Sequence, residues 1–138
     1  FVPSRGLGDV YKRQVLTVAK RGVNVIIILD KSNISSKYSG LQRCFDAKIP
    51  VFIDTVASIS HNKIVIIDHK DKNDAKLITG SFNFSKNADT RNAENLLILQ
   101  QNDIIDIYKE NFDLRLEKSI YYTNYIKRYK RKYAKKII

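Results

Sequence analysis

Short apolar runs separated by polar, turn-forming stretches fill most of this chain, and the runs have the length of strands. Residues 23–29 are apolar and β-branched almost throughout, the sign of a strand buried on both faces. Just upstream, residues 15–21 read as the end of a helix that Gly22 closes as its C-cap. Residues 31–40 are polar and Ser-rich, a loop. A short helix is expected over 41–47 and a second strand over 49–55, with Pro50 near its start. Strands three, four and five are expected over 61–68, 75–81 and 93–99. The period then changes. Ile104, Ile105, Tyr108, Phe112 and Leu116 recur on one face of a helix spanning 102–117, which should pack on the sheet. Asn102 or Asp103 is its expected N-cap. Apolar strands alternating with amphipathic helices give an α/β layered fold.

Residues 1–14 stand apart. The chain contains no Met, and the stretch from Ser4 to Gln14 resembles translated library-adapter sequence. It is therefore left out of the fold expectation as an artefact, and the domain proper is expected to begin near Val15, truncated at its amino end. A signal peptide, if one belongs to the protein, would precede that point.

Size and composition narrow the class. A chain of 138 residues is one domain, able to bury roughly two thirds of its unfolded surface. No apolar run approaches the roughly 20 residues of a bilayer-spanning helix. A single Cys44 forms no intrachain disulfide, and two His with one Cys make no zinc constellation, so chemistry without metal or cofactor is favoured. The net charge of +11 is uneven: residues 15–117 carry only +1, whereas residues 118–138 hold eight basic residues and no acid. Basicity is thus a property of the tail. Its Tyr125, Tyr129 and Tyr133 fall four apart, a stripe along one helical face. Such a tail fits nucleic acid, with cations on phosphates and rings on bases, or an anionic membrane surface. A helix that packs its tyrosines inward and solvates its charges is the plainer alternative.

Candidate chemistry lies in the middle of the chain. His61 and Lys63 are two apart on an expected strand, so imidazole and ammonium project from one face. Ile64 to Ile67 imply burial on both sides, where a lysine is costly unless it meets an anion. Asp68 has the opposite parity and should point elsewhere; a plain strand-ending Asp is a competing reading. Ser81 and Asn83 again lie two apart, beside a Gly80 that lets backbone approach closely, although a Gly-Ser turn with an Asx motif would look the same. Glu94 opens the fifth strand, which is expected to be buried, and an unpaired carboxylate there would be expensive.

The order His61-x-Lys63-x4-Asp68, then Gly80-Ser81-Phe82-Asn83, then Asn92-Ala93-Glu94-Asn95, resembles the HKD signature of the phospholipase D superfamily. Within it, the run from Ile78 to Ser85 and the upstream run from Arg21 to Ser32 are similar to the small bacterial endonucleases and the mitochondrial cardiolipin hydrolase. The likeness covers roughly 15–117 and departs in one place: eleven residues separate Asp68 from Gly80, more than is usual, and read as a longer turn. It implies a mixed β-sheet between helical layers, a single HKD copy per chain, and a homodimer sharing one active site. It further implies a phosphohistidine intermediate on His61, a phosphate clamp at Lys63, a pocket with Ser81 and Asn83, and Glu94 bonded to the imidazole. Asp68 becomes a buried support for the local backbone. Family members usually begin with a strand and a helix that this chain lacks in part, which would leave an exposed sheet edge.

The function expected from this is metal-independent hydrolysis of a phosphodiester in DNA or RNA. A phospholipase D or cardiolipin-type lipid hydrolase would use the same residues on an anionic phospholipid. A polyanion-binding module without turnover is the non-enzymatic alternative.

Overall fold

The computed structural model describes residues 9–34 and 40–134. Helix α1 spans Asp9–Lys20, so it begins within the stretch left out of the fold expectation; residues 1–8 lie outside the described ones. It closes where expected. The amide of Gly22, at φ 86°, donates to Ala19 and that of Val23 to Val18, the paired bonds of a glycine-terminated helix end.

Strand β1 (Ile27–Asp30) is shorter than the apolar run that announces it. A 3-10 turn follows over Lys31–Ile34, and the rest of the expected loop, 35–39, is outside the described residues. Helix α2 (Leu41–Asp46) leads to β2 (Val51–Asp54), β3 (Ile64–Ile67) and β4 (Lys76–Gly80). Helix α3 (Lys86–Thr90), β5 (Leu96–Leu99) and α4 (Asn102–Lys118) come next. The chain then forms β6 (Ser119–Tyr121) and α5 (Tyr122–Ala134).

The architecture is mixed α/β, with two three-stranded sheets where a single sheet was expected. In one, β2 pairs parallel with β1 and antiparallel with β6; in the other, β3, β4 and β5 are antiparallel in that order. Both faces of β1 are covered, which explains its unbroken apolar sequence. Ile27 and Leu29 enter a core with Leu41, Val51, Ile53 and Phe84, against which Leu16 of α1 and Tyr122 and Tyr125 of α5 pack. Ile28 points the other way, into a core of Ile64, Leu77 and Ile105 that Tyr108, Phe112 and Leu116 of α4 close. The helical stripe expected over 102–117 is the one that is used.

Three local expectations are corrected. Pairing of β3 with β4 starts only at Ile64, opposite Thr79, so His61 and Lys63 precede the strand. Beyond Thr79, β4 ends at Gly80, whose φ is 142°. The fifth strand is not buried: it is an edge that pairs β4 alone, and Leu96, Leu97 and Ile98 are 47%, 53% and 62% exposed. Helix α4 is capped at Gln101, because Asn102 instead donates to the Lys72 carbonyl 3.0 Å away. That bond, with Lys72 on Asp106 at 2.6 Å, docks the long β3–β4 turn onto α4.

The basic tail begins inside the fold. Its first residues form β6, and Tyr122 lies edge-on to Phe45 at 5.5 Å. Lys127 and Arg128 face solvent, while the side chains of Tyr129 and Tyr133 are outside the described residues.

Candidate active site

His61 and Lys63 form one group of candidate residues, and Ser81, Asn92, Glu94 and Asn95 a second. His61 sits exposed in an irregular stretch between β2 and β3, three residues ahead of the ladder. Lys63 is 6% exposed, yet its ammonium comes to the ring: Nζ is 2.8 Å from Nδ1 and 3.1 Å from Nε2 of His61, and it donates to the His61 carbonyl at 2.8 Å. An ammonium has donors only, so the ring nitrogen that bonds it does so as an acceptor, and which of the two that is depends on the tautomer. The pairing predicted from strand parity is thus obtained without a strand.

The second group is built across the β4–β5 edge. Both Ser81 and Phe82 donate their amides to the Asn95 carbonyl, at 3.0 and 3.3 Å. Approach this close requires Gly80, since a Cβ there would stand 2.2 Å from that same carbonyl oxygen. Ser81 Oγ accepts from the Asn95 amide at 3.0 Å and donates to Glu94 Oε2, while Asn92 donates to Oε1 at 2.9 Å. These bonds from Ser81 and then Asn92, opposed by slight desolvation and helped by the charge of Lys63, hold the Glu94 carboxyl below its ordinary value. The two groups therefore lie within electrostatic reach of each other.

Some expected contacts and placements differ. Glu94 does not bond the imidazole; among the described residues its oxygens are engaged by Ser81 and Asn92, and it precedes an exposed strand, not a buried one. Asp68 is exposed, with a left-handed φ of 48° that starts the β3–β4 turn, so the expected buried support is not what it provides. It stands five residues beyond Lys63, roughly 16 Å of extended chain. Asn83 is half-buried in the turn between β4 and α3, its carbonyl accepting from Ser85 at 2.6 Å. His69 follows Asp68 into the β3–β4 turn, where burial and then the charge of Lys109 on α4 depress its pKa.

Two residues were not singled out by sequence: Asp30 and Asp54, the buried ends of β1 and β2. Their only signal was a charge terminating an apolar run. Among the described residues no cluster of three His, Cys, Asp or Glu is placed to hold a metal ion, and no helix is long and apolar enough to cross a membrane.

Glu94 supplies a pH test. With its pKa depressed in the folded state, its stabilising contribution is present above the ordinary value of 4.5 and is lost as pH falls through the folded one. Ser81→Ala should move its titration midpoint upward, read by carbon-13 NMR of the carboxyl. An unmoved midpoint contradicts the bond.

Comparison with known proteins adds the relatives. A family model described as "Cardiolipin synthase, PLD-like domain" matches residues 9–116. Proteins named phospholipase D from Rickettsia prowazekii and Rickettsia bellii are 42% and 49% identical over 113 residues, 81% of this chain and 53% and 54% of theirs. A mitochondrial cardiolipin hydrolase of Chlamydomonas reinhardtii is 33% identical over 72% of this chain and 42% of its own. The fold matches Nuc of Salmonella typhimurium, a phospholipase D family member, with a TM-score of 0.76 at 25% identity over 88% of this chain and 78% of that one. NucT of Helicobacter pylori gives 0.75 at 28% identity, over 88% and 79%. The chain spans about half the length of the curated relatives it matches.

Proposed function

The chain belongs to the phospholipase D superfamily, and from that premise we propose that it hydrolyses phosphodiester bonds through a covalent phosphohistidine, acting as an endonuclease on DNA or RNA. The observation that carries this reading is a buried ammonium, Lys63, brought onto the ring nitrogens of His61 beside the Ser81–Glu94 pair. A ring nitrogen of His61 attacks phosphorus and the bond to the leaving oxygen breaks. The donors of Lys63 meet the non-bridging oxygens as negative charge grows on them. Ser81 and Asn83 line the phosphate pocket. Glu94 balances the cation that develops on the imidazole through space, since it does not touch the ring. Asp68 has a supporting part only, closing β3 in its left-handed turn.

The departing oxygen needs a proton, and His69 stands in the β3–β4 turn under the charge of Lys109. A two-fold homodimer answers this: the partner's copy of the same histidine donates the proton, then takes one from the water that cleaves the P–N bond. The basic residues of 118–138 supply affinity for the polyanion, among them the exposed Lys118, Lys127 and Arg128.

A second reading, lipid hydrolysis, has its own support: relatives at 42–49% identity bear the name phospholipase D. The two are separated by one paired assay, offering an oligonucleotide and phosphatidyl vesicles to the same preparation with chelator present and His61→Ala as blank. Chelator-resistant cleavage of the oligonucleotide is expected. Headgroup release without it transfers the assignment to lipid, and binding of nucleic acid with no turnover leaves a polyanion-binding module.

A further inference from the structure

The segment bearing His61 poses a mechanical problem. Residues 55–63 belong to no helix or strand, and Val56 and Ile59 within them are 63% and 69% exposed. Nothing in a sheet ladder fixes the imidazole, although attack on phosphorus tolerates little misplacement. The restraints come from below. β1 and β2 run parallel and in register, so both end on an aspartate, Asp30 beside Asp54, each almost wholly buried. Asp54 Oδ1 accepts from the amides of Val56 and Ala57 at 3.1 and 3.3 Å, and Lys31 Nζ donates to the Ala57 carbonyl at 3.1 Å. Asp30 reaches furthest: Oδ1 accepts from Ser32 at 2.8 Å, and Oδ2 accepts from the amide of Ser60 at 2.7 Å, thirty residues away and adjacent to His61.

We infer that Asp30 is a positioning residue, whose carboxylate anchors Ser60 and so fixes where the His61 ring stands relative to Lys63 and the substrate phosphorus. The inference rests on His61 being the nucleophile. A carboxylate suits the task because its two oxygens accept from two separate amides at once, in strong charge-assisted bonds. Burial pushes this carboxyl up, but the bonds from Ser32 and Ser60 and the charge of Lys31 outweigh that and hold it below its ordinary value. It stays ionised at neutral pH and keeps both bonds. An amide in its place has one oxygen, and its NH2 would oppose the other amide donor.

The test is Asp30→Asn in the full chain, with bis(4-nitrophenyl) phosphate as substrate and turnover expressed per site that forms phosphoenzyme trapped by alkaline denaturation. A fall in kcat of about tenfold to a hundredfold is expected, with KM within about twofold. Amide hydrogen exchange should quicken at Ser60 and His61 and stay unchanged at Ile28, Leu29 and Ile53. Wild-type kcat in folded Asp30→Asn overturns the inference, as does exchange rising equally through β1 and β2, the mark of a merely structural carboxylate. If that variant does not fold, Lys31→Ala decides, since it frees the same loop from the surface. A smaller loss of kcat with faster exchange over 57–61 supports the anchor, and no change in either overturns it. A wild-type protein inert toward every phosphodiester defeats the nucleophile reading instead, and the exchange measurements still decide whether Asp30 holds the segment.

Discussion

Replacing His61 with alanine should leave a folded protein whose phosphodiesterase turnover is down about ten-thousand-fold or more, because removing a covalent nucleophile removes the route and not merely a contribution to it. Stability should hardly change. The ring is exposed and packs into neither core, so its loss opens no cavity. Unchanged thermal unfolding together with lost turnover and no alkali-stable phosphoenzyme is the expected combination. Retention of even a hundredth of the activity would mean that another group attacks phosphorus. The same variant tests the shared site. Mixed dimers of wild-type and His61→Asn chains should show little activity each, since one copy must attack while the other transfers the proton. Full activity in a purified monomer contradicts that arrangement.

Gly80→Ala should be the most damaging single methyl group in the chain. An added Cβ meets the Asn95 carbonyl oxygen at 2.2 Å and its carbon at 2.9 Å, both backbone, and φ of 142° is strained for any other residue. Neither atom withdraws freely, because the Asn95 carbonyl also accepts the amides of Ser81 and Phe82. The cost is expected to be about 2–4 kcal/mol, from strain and loss of the β4–β5 clip together. For a domain of this size that lowers the melting temperature by roughly 10 °C. Gly22→Ala is the internal comparison: φ is 86°, but nothing lies within 4 Å of its Cβ, so only the conformational cost of about 1 kcal/mol remains. Similar melting temperatures for the two variants would show that the close approach at Gly80 does not restrain the fold. Activity should fall further than stability explains in Gly80→Ala, since Ser81 and Glu94 hang on that clip.

What sequence made legible follows the range of the forces involved. The apolar run before Asp30, the stripe from Ile104 to Leu116 and the glycine end of α1 are local patterns, and each appears as an element because local periodicity sets which side chains can be buried together. His61 and Lys63 were recognisable as a pair for the same reason, two residues apart along one backbone.

Where the sequence misled, the missing information was a neighbour. Leu96, Leu97 and Ile98 are apolar enough for a core strand, yet they form an edge because, among the described residues, β4 alone pairs with them. Glu94 was expected on the imidazole and turns to Ser81, because β4 and β5 meet at Gly80. Asp30 was not singled out by sequence, and only folding brings its carboxylate to the Ser60 amide. The linear order of residues thus determined the elements and the chemical inventory of the site. Which carboxylate meets which donor was decided by strand pairing between segments 13 to 30 residues apart, and short-range periodicity carries no record of such pairings.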